Sequence, residues 1–195
     1  DRQRAEAHLQ AVEQRGERRR TSQTNAVVAL QRVGEPWATQ HLGVIPTVNP
    51  AASLPYTAAR QFATLQHLSA DRLGLNVVTD TGSARHFSDA APLGHDDAYD
   101  RAEEWLTGIR SLWRSWGEGA LVRDAASGVY ADGTRMDATV HRGSHYAFDG
   151  PLNAVPFERG EPVIASPGGS GRGLAFAGAN SDIQLALAPL SEKSV

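Results

Sequence analysis

From residue 42 onward, short apolar runs alternate with amphipathic stretches, the rhythm of strands feeding helices in a parallel sheet. Leu42 to Val48 (LGVIPTV) reads as a buried strand. Pro46 lacks a ladder donor and belongs near the end of that strand. Over residues 55 to 68, Ala58, Phe62, Leu65 and Leu68 recur at steps of four, three and three, which predicts one face of a helix. Leu73 to Thr79 (LGLNVVT) is the next strand. The strongest element is a helix over 96 to 116, where Tyr99, Ala102, Trp105, Leu106, Ile109, Leu112, Trp113 and Trp116 make a wide apolar stripe. Asp96 and Asp97 open it, where the helix dipole favours anions. Pro162 to Ser166 resumes as a strand, Gly168 to Gly173 (GGSGRG) is a turn, Leu174 to Ala179 starts a helix, and Asp182 to Leu187 is a further strand.

Two stretches break the pattern. Residues 1 to 41 carry a narrow stripe (Ala5, Leu9, Val12) and then the polar run RRRTSQTN, so a loosely packed N-terminal segment is expected. Residues 117 to 160 lose periodicity and predict an inserted loop with a hairpin around HRGSHYAFDGPLN, which at this length reads as a lid. The strands and helices set an α/β class. Spacing alone leaves an open sheet and a closed barrel both in play.

Composition changes this picture little. The chain has 195 residues, 41% hydrophobic and 21% charged, which fits one globular domain with a sizeable core. A net charge of -3 gives no bulk pull toward nucleic acid or anionic membrane. The absence of cysteine excludes disulfides, thiolate metal sites and a cysteine nucleophile. No apolar run approaches the roughly 20 residues of a membrane span, and no signal-peptide core is visible, so the expected compartment is the cytoplasm. The chain opens at Asp1 and its single methionine is Met136, which reads as an excerpt of a longer product.

The chemistry-bearing residues gather at the carboxyl ends of strands, where ligands of parallel α/β proteins bind. The turn Gly168 to Gly173 follows a strand and opens a helix, so its N–H groups, Ser170 and Arg172 could hold a phosphate; the competing reading is a flexible turn. His95 and Tyr99 stand one helical turn apart, and Thr47, Asn49 and Thr79 end strands. The bland readings are a capping histidine, a core tyrosine and ordinary strand threonines. His141 and His145 have no motif-spaced third ligand, so no metal is expected. No G-x-S-x-G elbow marks a serine hydrolase.

In this order, Ala59 to Asp80, HDDAYDRAEEWLTGIRSLWRSW (His95 to Trp116), HRGSHYAFDGPLN and PVIASPGGSGRGLAFA (Pro162 to Ala177) resemble a group of flavin-dependent monooxygenases. The group contains nitrilotriacetate monooxygenase component A, dibenzothiophene-sulfone monooxygenase and the pristinamycin synthase large subunit, within the bacterial luciferase-like superfamily. The resemblance covers roughly residues 42 to 185 and breaks down before them, where Asn25 stands in place of a family aspartate. It implies a partial TIM-type (β/α)8 barrel, reduced FMN and oxygen as reactants, a separate NAD(P)H:FMN reductase, a small organic substrate and a homo-oligomer. It implies FMN contacts at Thr47, His95, Tyr99 and Ser170, and it assigns no catalytic residue. Two other readings stand beside it: a non-catalytic fragment or interaction module, and a TIM-type enzyme acting on phosphorylated substrates.

Overall fold

The computed structural model describes residues 41–79, 93–157 and 159–186. The expectations for residues 1 to 40, and for the end of the last strand at Leu187, lie outside them. Strand β1 (Thr47–Val48) and helix α1 (Pro55–Leu68) are followed by β2 (Gly74–Val77) and α2 (His95–Trp113). Two antiparallel hairpins come next, β3 (Leu121–Asp124) with β4 (Val129–Ala131) and β5 (Val140–Arg142) with β6 (Ala147–Asp149). The chain then returns through β7 (Val163–Pro167), α3 (Gly171–Asn180) and β8 (Ile183–Leu185). Strands β1, β2, β7 and β8 form one parallel sheet in that order.

Strand β1 is shorter than its apolar run, yet its ladder starts earlier, at the bridge between Val44 and Leu73. Val44, Pro46 and Val48 accept through their carbonyls from Gly74, Asn76 and Val78 at 2.8, 2.9 and 2.9 Å. Pro46 therefore gives the ladder the one group it has, its carbonyl, and supplies no donor to the facing strand.

Helix α1 has the expected limits, with Pro55 in its first turn, where the missing N–H is not needed. Its face is not the expected one. Pro55, Ala58, Ala59, Ala63 and Gln66 are buried, Phe62 and Leu65 pack at the margin, and Leu68 is exposed. Small side chains let α1 approach α2 closely, so that Trp113 Nε1 donates to the Ala59 carbonyl at 3.0 Å. Gln66 is satisfied because its Oε1 accepts from Leu73 N at 3.1 Å.

Helix α2 buries Tyr99, Ala102, Trp105, Leu106, Ile109, Leu112 and Trp113, as the stripe predicts, but it ends before Trp116. The buried Ser115 hydroxyl donates to the Leu112 carbonyl and accepts from Leu152 N. These bonds turn the chain out of the helix, and Trp116 Nε1 reaches the Leu152 carbonyl instead.

The 117 to 160 stretch is two hairpins and a packed return rather than a loop with one hairpin. Leu152 is buried, and Tyr146, Phe148 and Phe157 lean on the core. The Glu104 carboxylate on α2 fixes the second hairpin by accepting from His141 Nε2 at 3.0 Å, His145 N at 3.0 Å and Tyr146 N at 2.8 Å. His141 stacks on Phe148, and Tyr146 Oη donates to the Pro50 carbonyl at 2.7 Å, which ties the hairpin to the turn after β1.

Burial pushes the Glu104 carboxyl up, but the bonds from His141, Tyr146 and His145, with the charge of His145, bring it below its ordinary value of 4.5. A carboxyl held lower in the folded state stabilises above its unfolded pKa, and that contribution is lost as pH falls through the folded value. Glu104→Gln is therefore expected to cost about 1–3 kcal/mol at pH 7. The difference from the parent chain should shrink below about pH 4 in urea melts. A cost that does not change with pH would show that the carboxylate charge is not what holds the hairpin.

Candidate functional site

Helix α3 begins at a true cap. Ser170 has extended backbone, and its Oγ accepts from Gly173 N at 3.1 Å while its carbonyl accepts from Leu174 N at 2.9 Å. The expected row of uncapped amides is thus reduced to the first two helical N–H groups, of Gly171 and Arg172, which have no acceptor within the helix. Gly169 and Gly171 face open space, which leaves room for a ligand over these donors. Gln184 Nε2 fastens the Gly168 carbonyl at 3.1 Å and so holds the turn against β8.

His95 lies over the turn. Its Nδ1 is 2.7 Å from Asp96 Oδ1 and its Nε2 is 3.3 Å from Ser170 Oγ. With the Nδ1 proton directed to Asp96, Nε2 is left to accept from the Ser170 hydroxyl. His95 meets Tyr99 edge-on at 5.2 Å, and Tyr99 packs on Phe176 at 5.6 Å. The Tyr99 hydroxyl reaches so far under the turn that a Cβ on Gly173 would lie 2.7 Å from it.

Arg172 does not face the open turn, contrary to the expectation that it adds to an anion site. Its Nη1 binds Glu103 at 2.8 Å, its Nη2 binds Asp100 at 2.7 Å, and the guanidinium sits 5.5 Å over the Tyr99 ring. The bonds to Glu103 and Asp100 push its pKa further up. Arg172 neutralises two carboxylates of α2 and locks α3 onto that helix.

The order Ser170, His95, Asp96 has the look of a hydrolytic relay. Two facts count against it: the Ser170 hydroxyl is committed to capping Gly173, and the Asp96 side chain is 75% exposed, where solvent screens the charge that must support an imidazolium.

Thr47 is not in this cluster. It lies on β1, two strands from β7, about 10 Å across the sheet. There it accepts from Asn76 Nδ2 at 3.0 Å. Asn76 Oδ1 is buried and has no hydrogen-bond partner, a state that polar groups avoid unless a ligand or water meets them. Asn76 was not singled out in the sequence, though a polar residue inside LGLNVVT is the signal that could have marked it. Asn49 serves as the cap of the turn Pro50–Ala52. His141 and His145 serve the Glu104 anchor, and no grouping of three possible metal ligands occurs among the described residues.

A capped helix start with a histidine over it stands at the carboxyl end of the parallel sheet, and a family model described as luciferase-like monooxygenase matches residues 37–194. The chain belongs to the luciferase-like monooxygenase family. Its relatives include the dibenzothiophene-sulfone monooxygenase of Rhodococcus erythropolis, 43% identical over 77% of this chain and 34% of that protein. The N-acetyl-S-(2-succino)cysteine monooxygenase of Bacillus subtilis is 38% identical over 74% of this chain and 33% of that protein. The nitrilotriacetate monooxygenase component A of Aminobacter aminovorans is 35% identical over 74% and 32%. Among solved structures, a riboflavin lyase with modified FMN and riboflavin superposes with TM-score 0.74 at 34% identity, covering 84% of this chain and 37% of that one. A long-chain alkane monooxygenase superposes with TM-score 0.68 at 34% identity, covering 72% and 33%. The chain thus spans about a third of these relatives, and its parallel sheet is a part of their TIM-type barrel.

Proposed function

We propose that this chain carries the flavin-binding part of an FMN-dependent monooxygenase. The observation that carries the reading is the Ser170 cap: two free helix-start donors, open space above Gly169 and Gly171, and His95 at the rim. Such a helix start takes a phosphate readily. On the neighbouring strand β2 the buried Asn76 Oδ1 has no partner, and Thr47 on β1, about 10 Å from β7, accepts from Asn76 Nδ2, so both stand where further groups of the same ligand could be met. Tyr99 supports the turn from below.

When bound, reduced FMN supplies the electrons that split oxygen, one atom going to a small organic substrate and the other to water. The residues described here bind and orient that group, and a separate NAD(P)H:FMN reductase renews it.

The test is flavin-fluorescence titration of the chain with FMN and with riboflavin. FMN is expected to bind more tightly. Ser170→Asp keeps a good helix cap and adds a negative charge beside the phosphate, so FMN affinity should fall about tenfold or more while riboflavin affinity stays near its parent value. Equal losses for both ligands, or no FMN binding by the parent chain, would place the phosphate elsewhere.

A further inference from the structure

Helix α2 is acidic where it borders the candidate site: Asp96 and Asp97 stand in its first turn, and Asp100 and Glu103 follow in the next two. The backbone N–H of Arg172 is one of the two open donors at the start of α3, while its side chain turns back onto α2 and is only 24% exposed. There the guanidinium bridges Asp100 at 2.7 Å and Glu103 at 2.8 Å. These charge-assisted bonds, with the Tyr99 ring face beneath, hold it away from the open space over Gly169 and Gly171. Asp100 and Glu103 therefore lie one arginine side chain from the open donors. That reach is of the order of the Debye length, about 8 Å at physiological salt, so an anion at the helix start would feel both carboxylates.

We propose that Arg172 is a positioning residue for the phosphate, which its side chain never touches: it acts through Asp100 and Glu103, offsetting their charge so that the helix start beside them accepts an anion. The role deepens the phosphate-binding reading above and rests on it. Arg172 lies in a glycine-rich turn, where a cation is expected to grip the phosphate directly, yet its geometry serves the neighbouring helix instead. With the arginine in place the pair carries one net negative charge, and without it two. The difference is one unit charge at the range of a side chain, acting on a phosphate and not on an uncharged flavin. A lysine offsets the same charge without bridging both carboxylates, so it separates charge from geometry.

The test is fluorescence titration of the chain and its variants with FMN and with riboflavin, in dilute buffer and in salt. Arg172→Gln is expected to weaken FMN binding about fivefold or more in dilute buffer. Riboflavin affinity should hold at its parent value, which also shows that the variant is folded. In about 1 M salt, where the Debye length is about 3 Å, the FMN difference from the parent should close. Adding Asp100→Asn and Glu103→Gln to Arg172→Gln should bring FMN affinity back to the parent value or above, which loss of a direct phosphate ligand would not allow. Arg172→Lys should stay within about twofold of the parent for FMN. An Arg172→Gln variant that binds FMN as the parent does, a loss shared by riboflavin, a loss that persists in salt, or a triple variant as weak as Arg172→Gln would each overturn the proposal. A parent chain with no preference for FMN over riboflavin would instead overturn the phosphate-binding reading, and this role with it.

Discussion

Replacing Trp105 by alanine is expected to cost about 3–5 kcal/mol, the range for truncating a buried aromatic, against a total stability of about 5–15 kcal/mol for a typical domain. Trp105 is fully buried in the core cluster on α2. Its Nε1 also donates to the Ser53 carbonyl at 2.8 Å, the last residue but one before α1. The truncation therefore opens a cavity and leaves a carbonyl without its donor. The effect reaches the candidate site, because Ser53 closes the turn that follows Thr47 and caps Pro50–Ala52. Trp105→Phe keeps most of the volume and loses the bond, with an expected cost nearer 1–2 kcal/mol. Urea unfolding of the three proteins checks this, and a loss under about 1 kcal/mol for the alanine variant would mean that α2 is not the centre of the core.

Elements with a wide and bulky apolar stripe were legible from sequence, and α2 is the clearest case. Its end was not, because the stop comes from Ser115 bonding both back to Leu112 and across to Leu152, a tertiary event. The face of α1 was misread for a different reason. Hydrophobic spacing weights large residues, whereas close helix contact here selects Ala58, Ala59 and Ala63. At the site, His95, Tyr99 and Ser170 lie together, while Thr47 stands apart with Asn76. Arg172 could not be placed from its position in a glycine-rich turn, since its direction is set by Asp100 and Glu103 on another helix. The second hairpin was legible around HRGSHYAFDGPLN, but the first, Leu121–Asp124 with Val129–Ala131, was not, and the anchor Glu104 was hidden because it lies on the polar margin of α2, 37 residues from His141.

The second large effect is expected from a single methyl group. Gly173 is buried, and a Cβ there would lie 2.7 Å from Tyr99 Oη, 3.1 Å from Gly168 Cα and 3.2 Å from Ser170 Oγ. Tyr99 cannot swing clear, since its ring is held between His95, Phe176 and the Arg172 guanidinium. The strain falls on the helix start: either the Ser170 cap opens or the turn lifts off Tyr99. Gly173→Ala is expected to cost about 1–3 kcal/mol as an overpacked site, despite the better helix propensity of alanine. It should also abolish any preference for FMN over riboflavin, because the N–H groups of Gly171 and Arg172 would no longer point at one place. Gly178→Ala supplies the internal comparison. Gly178 is on the same helix but faces open space, so there the methyl group should stabilise by about 0.5–1 kcal/mol and leave flavin binding unchanged. Opposite signs at the two positions in urea melts would show that the packing of Tyr99 beneath the turn shapes the site. Equal gains at both would mean that Tyr99 and the turn have room to separate, and that the close approach is not what sets the geometry of the helix start.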